Sequence, residues 1–140
     1  MSVRIFATPQ DAEAAFYEAL EHADLDAMMS VWAEDEEIVC VHPGGTRLVG
    51  YDAVRAGWEQ QFAGDTRLKF RLDQVVVIDT VGLALQNAIE HVAAAGGGNP
   101  RGAAFATNVF LRTPSGWRMV LHHASPAPAL PVAAPTGPLH

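Results

Sequence analysis

The chain has 140 residues, of which 49% are apolar and 18% charged, with a single cysteine and a net charge of −7. That length suits one domain able to bury a core without a disulfide or metal staple, and one cysteine excludes an internal disulfide and fits a reducing, cytoplasmic compartment. The acidic balance argues against a nucleic-acid partner, and no apolar run reaches the ~20 residues needed to span a bilayer.

Thr8-Pro9-Gln10-Asp11 reads as a helix start, with Thr8 as cap, Pro9 in the first turn and Asp11 where negative charge is favoured. It follows the N-terminus too closely to leave room for a signal peptide. Ala12, Ala15, Phe16, Ala19, Leu20 and Ala23 then recur at helical spacing. Asp24 ends the stripe and caps a second helix, "DLDAMMSVWAED". "EIVCVH" is a strand, and "PGGTRLVG" a turn with a short extended piece. "YDAVRAGWEQQFAG" is a third helix, carrying Tyr51, Val54, Trp58 and Phe62 on one face.

From there the period changes to that of strands. "RLKFRLDQVVVID", "VGLALQNAIEHVAA", "AAFATNVFLR" and "WRMVLHHAS" read as four of them. The glycine-rich "GGGNPRG" does not lead from a strand into a helix, so it is no phosphate loop. Residues 126–140 contain five prolines and form a tail expected to add little to folding, leaving 1–125 as the folded domain. Helices first and strands after give an α+β class, with the helices gathered on one face of a mostly antiparallel sheet.

The "TPSG" loop allows two registers. In the bulged one, Gly116 is left-handed and Thr107 opposes His123. The face turned to the helices is then Phe105, Thr107, Val109, Leu111, Trp117, Met119, Leu121 and His123. Asn108, Phe110, Arg112, Arg118, Val120 and His122 face outward. A two-residue loop shifts the register by one and exchanges these partners. Asn87 and His91 share the inward phase of their strand. With the phase reversed, Glu90 enters the interior and is the better base. His122 and His123 are adjacent on a strand and point to opposite faces, so they cannot share a metal ion.

The helices, "DLDAMMSVWAEDEEIVCVHPGG", "LVGYDAVRAGW" and "ATNVFLRTPSGWRMVLHHAS" together resemble the SnoaL-like branch of the nuclear transport factor 2-like superfamily, to which ketosteroid isomerase belongs. The resemblance spans Ala7 to Ser125. It implies a cone: a curved, mixed or antiparallel sheet wrapped around three N-terminal helices and enclosing an apolar pocket. It also implies a homodimer through the outer sheet face, where Phe110 and Val120 supply apolar surface. In the isomerase, an aspartate before a proline is the general base. The matching position here is His42, which makes His42 the candidate catalytic base. The isomerase's tyrosine donor aligns with Phe16, and Tyr17 stands about 100° further round the helix.

Trp58, Asn87, His91, His123 and Tyr17 are the candidate substrate-binding residues, with Trp58 as an apolar wall and the others as polar contacts. Neither a metal nor a cofactor is expected: a site from His42, His91 and His123 has no short ligand spacing behind it. Cys40, on the strand face of His42, reads as a buried thiol. The expected function is to bind an apolar small molecule and transfer a proton on it, as an isomerase or dehydratase does. The alternative is a non-catalytic ligand-binding or dimeric interaction module.

Overall fold

The computed structural model describes residues 4–64, 67–96 and 100–128, with only the backbone of residues 100 and 101. Most of the loop before residue 100, and the tail from 129 onward, lie outside the described residues. Helix α1 (Pro9–His22) opens where Thr8 Oγ1 accepts the Asp11 N–H at 3.0 Å. It ends at Ala23, and Asp24 at once caps α2 (Leu25–Val31) by accepting the Ala27 N–H at 3.0 Å. The sequence pattern carries α2 on to Asp35. The helix stops sooner because Trp32 turns extended and bridges to Met119, whose carbonyl accepts the Ala33 N–H. No described helix is long and apolar enough to cross a membrane.

Strand β1 (Val39–Val41) and strand β2 (Arg47–Val49) form a hairpin. The turn between them is closed by Gly45 N–H donating to the His42 carbonyl at 2.8 Å, with Pro43 and then Gly44 at φ +71° in the middle. That is a type II turn, whose third position needs glycine. After α3 (Tyr51–Phe62) come β3 (Leu68–Asp79), β4 (Leu83–Ala94), β5 (Pro100–Thr113) and β6 (Gly116–Pro126). The six strands form one curved, open sheet in the order β2-β1-β6-β5-β4-β3. Strands β1 and β6 run parallel, and every other neighbouring pair is antiparallel. Three bulges bend it: Gln74 and Val75 together oppose Ala88, residue 101 is extra in β5 between the partners of Val92 and Ala93, and Val120 is the extra residue of β6.

The loop after β5 is the two-residue one, Pro114–Ser115, so Leu111 opposes Arg118 and Phe110 opposes Met119. The bulge at Val120 then restores the pairing of Thr107 with His123. Trp117 and Met119, before that bulge, are buried as the bulged-loop reading expected, but along β5 and beyond the bulge in β6 the faces are reversed. Asn108, Phe110 and His122 point to the helices and are buried, while Phe105, Leu111 and His123 are exposed on the outer face. Phe110 therefore cannot serve an outer-face dimer. Strand β4 is reversed likewise: Ala84, Ala88 and Glu90 are buried, and Asn87 is exposed.

The core joins Phe16, Met28, Trp32, Ile38, Cys40, Val54, Trp58, Phe110 and Met119. Alanines 84, 88, 104, 106 and 124 supply much of the sheet's inner face, and the large rings come from the helices (Phe16, Trp58) and from the sheet itself (Phe110, Trp117). At the start of β6, residues 4–6 lie against the sheet. The Trp117 N–H donates to the Phe6 carbonyl at 2.9 Å. The Arg118 guanidinium donates to the carbonyls of Arg4 and Ser30, and it sits over the ring of Phe6.

Candidate functional site

Three polar side chains on the inner sheet face meet α1. Glu90, Asn108 and His122 come from β4, β5 and β6, and each is at most 3% exposed. Tyr17, from α1, donates its hydroxyl proton to Glu90 Oε2 at 2.6 Å. Asn108 Nδ2 donates to Tyr17 Oη at 3.1 Å and to Glu13 Oε2 at 3.3 Å. His122 Nδ1, in its N–H form, donates to Asn108 Oδ1 at 2.6 Å. Buried polar groups are tolerable when partnered in this way.

Burial governs the electrostatics. It raises the carboxyl pKa of Glu90, against the hydrogen bond from Tyr17, and the charge of Glu13 raises it further. Burial also raises Glu13, against the hydrogen bond from Asn108. Tyr17 is pushed well up by burial and then by Glu90, so its phenol stays protonated. His122 is lowered to about 3 by burial and by its neighbours His42 and His123, so its imidazole is neutral.

The chain of groups reaches solvent through a groove of ≈ 530 Å³ between α1 and β3. Glu13 and Tyr17 line it, with Phe70 and Leu72 as its apolar wall and Glu18 and Glu21 along its rim. Tyr17 and Phe70 hold their ring centroids 6.0 Å apart.

The sequence candidates divide. Tyr17 lies at the centre of the site. Trp58 is 1% exposed and packs in the core against Phe16 and His122, outside the groove lining. His42 is half-buried and stands edge-on to Trp58, with centroids 4.4 Å apart. Its Nε2 is 3.8 Å from Cys40 Sγ, and burial lowers its pKa. Burial lifts the Cys40 thiol to about 12, the state of an inert buried thiol. Trp58 and His122 connect His42 to the Tyr17 cluster through ring contacts.

Asn87, His91 and His123 are corrected: the reversed phase places all three on the outer face. There Asn87 donates to Thr107 Oγ1 at 2.9 Å, and His91 lies 3.3 Å from Asp73. The reversed-phase alternative for Glu90 is the one realised. Sequence reasoning missed Glu13, which sits on α1 one turn before Tyr17, and Asn108. The spacing of Glu13 and Tyr17, i and i+4 on one helix, was the available signal. Among the described residues no group of three or more His, Cys, Asp or Glu is placed to hold a metal ion.

The SnoaL-like domain family matches residues 10–129. A solved structure from Thiobacillus denitrificans, named provisionally as a calcium/calmodulin-dependent protein kinase type II association domain, is 43% identical, with a TM-score of 0.80 over 89% of this chain and 99% of that one. A nuclear transport factor 2-like protein from Streptomyces avermitilis, named provisionally as a dehydratase, is 36% identical, with a TM-score of 0.74 over 84% of this chain and 92% of that one. The F-box protein SKIP8 of Arabidopsis thaliana is 27% identical over 114 residues, which are 79% of this chain and 46% of that protein. The chain thus spans about half the length of this curated relative.

Proposed function

Since the chain belongs to the SnoaL-like domain family, within the nuclear transport factor 2-like superfamily, we propose that it binds a small organic molecule in the groove between α1 and β3 and moves a proton on it, as an isomerase or dehydratase does. One observation carries this reading. Glu13 and Tyr17 both line the groove, and both are held by the same atom, Asn108 Nδ2. A carboxylate and a phenol fixed to one anchor can act together on neighbouring atoms of one ligand.

In this reading Glu13, not His42, is the base. Its carboxylate takes a proton from a carbon beside a carbonyl, and the C–H electron pair moves into the new carbon–carbon double bond. The carbonyl oxygen takes up the negative charge and accepts a hydrogen bond from Tyr17. Returning the proton to a different carbon completes an isomerisation. In a dehydration the enolate electrons instead re-form the carbonyl and a carbon–carbon double bond, expelling the hydroxyl on the next carbon, which takes the proton held by Glu13 and leaves as water. Phe70 and Leu72 cover the apolar part of the ligand. The dehydratase name given provisionally to the relative from Streptomyces avermitilis agrees with this chemistry.

The test is exchange of the α-protons of small cyclic ketones in D₂O, followed by proton NMR. Exchange above the buffer rate is expected, with a loss of roughly 10²-fold or more in Glu13→Gln. Wild-type protein that neither exchanges nor binds any of these ketones overturns the reading.

A non-catalytic association module is the second reading, and a specific observation favours it. The outer sheet face exposes Leu83, Phe105 and Leu111 at 39%, 43% and 38%. Such a face suits a second copy of the chain. The association-domain name given provisionally to the relative from Thiobacillus denitrificans points the same way.

A further inference from the structure

The hydrogen bonds around Tyr17 have a direction. Asn108 Oδ1 accepts from His122, so its amide group faces the other way, toward Tyr17 and Glu13. Tyr17 Oη therefore receives a hydrogen from Asn108 and must place its own on Glu90. While Glu90 is an anion, this phenolic proton points into the protein and away from the groove. A protonated Glu90 changes the arrangement. Its O–H can donate to Tyr17 Oη, and the phenolic proton is then free to turn to the groove.

We infer that Glu90 is a positioning residue whose protonation decides whether Tyr17 presents its hydroxyl proton to a ligand in the groove. This rests on the reading of the groove as the ligand site. Glu90 itself is 3% exposed and acts only through Tyr17. The groups facing it are Tyr17 and Glu13 from α1, Asn108 from β5 and, through Asn108, the neutral His122 of β6. Its cross-strand neighbour on β3 is Leu72. Among these, the carboxylate charge of Glu13 favours the protonated form of Glu90.

The chain has two tyrosines, Tyr17 and Tyr51, so Tyr17 can be followed by a ¹³Cζ-tyrosine label with Tyr51 as internal reference. Expected is a Tyr17 resonance that shifts as the pH falls, with the same midpoint as the Glu90 carboxyl carbon. Glu90→Gln replaces the acid O–H with an amide N–H donor. In that variant Tyr17 should stay at its acid-limit position at every pH. Glu13→Gln removes the neighbouring charge and should move the Tyr17 midpoint to lower pH. A Tyr17 signal that still titrates in a folded Glu90→Gln protein overturns the inference, as does one that never titrates in wild type.

Cyclohexanone supplies the ligand arm. Its binding should strengthen toward acid in wild type and lose that pH dependence in Glu90→Gln. If Tyr17 titrates as expected but cyclohexanone and the other ketones neither bind nor exchange, the positioning role stands and the proposed chemistry falls.

Discussion

Asn108 and His122 stand directly opposite each other on β5 and β6, and their side chains close a 2.6 Å hydrogen bond inside the protein. The neutral imidazole is part of that bond. Burial lowers His122 to about 3, whereas in an unfolded chain it titrates near its ordinary ~6.5. Between those values the unfolded chain binds more protons. The stabilisation is complete above about 6.5 and falls as the pH drops, by at most ~1.4 kcal/mol per pH unit. Glu13 and Glu90 are raised and work in the opposite sense, so their contribution is present below the unfolded carboxyl range and is lost as the pH rises. A difference curve separates the two effects. Urea unfolding of wild type and His122→Leu from pH 7.5 to 4.5 should show the wild-type advantage shrinking toward acid.

Activity on a ketone substrate should have two limbs. Glu13 must be ionised to accept a proton, while Glu90 must keep its own for Tyr17 to face the groove. Burial raises both carboxyls, and once Glu13 is ionised its charge raises Glu90 further. The profile of kcat/KM should therefore rise as Glu13 ionises and fall as Glu90 ionises. In Glu90→Gln the alkaline limb should be gone. His42→Ala gives the contrasting test: loss of turnover in that variant, with Glu13→Gln still active, would return the base to His42.

The outer face predicts its own assembly. Phe105 pairs with Ile89 and Leu111 with Leu83, and Val109, two residues before Leu111, pairs with Leu85 and Leu121. We expect a dimer in sedimentation at tens of micromolar, roughly where an interface of standard size associates. Phe105→Glu combined with Leu111→Lys should give a folded monomer. A wild-type chain that sediments only as monomer would remove this expectation.

Gly116 admits the N-terminal segment to the sheet. Its φ is +95°, and a Cβ there would meet the Phe6 carbonyl oxygen at 2.8 Å. Gly116→Ala should therefore cost about 1–3 kcal/mol through backbone strain and displacement of Phe6. Thermal unfolding would register that as a fall of roughly 3–5 °C per kcal/mol. Gly64→Ala, where a Cβ meets nothing within 4 Å, should leave Tm nearly unchanged.

Much of the architecture could be read from local chemistry. Thr8 and Asp24 announce two helix starts, and strand periodicity places β3 to β6 within a few residues. The face assignment could not be read so, because over β4, most of β5 and the end of β6 this sheet departs from the usual rule that large apolar residues point inward, with Phe110 the exception there. Phe16 and Trp58 from the helices fill the interior, leaving room on the sheet for alanines and for Glu90, Asn108 and His122. The large aliphatic residues stand on the other side. A hydrophobicity argument therefore chose the wrong face. It lost Glu90, Asn108 and His122 from the site together and gained Asn87, His91 and His123. His42 was placed beside Trp58 by its strand and turn, but the groove lies with Tyr17, which the resemblance located only to within one residue.

From its bulge onward, β3 is an open edge on which Val75, Val76, Val77 and Ile78 are all exposed, with an aspartate before and after them at positions 73 and 79. An edge of that kind recruits strands from other molecules, the first step toward a fibre. Two copies joining antiparallel about Val76 would set each Asp73 against the other chain's Asp79. Like charges directly opposite each other on paired strands repel. The aspartates thus act as gatekeepers at the two ends of the valine run. Losing either one would remove the repulsion that opposes strand-to-strand growth along this edge.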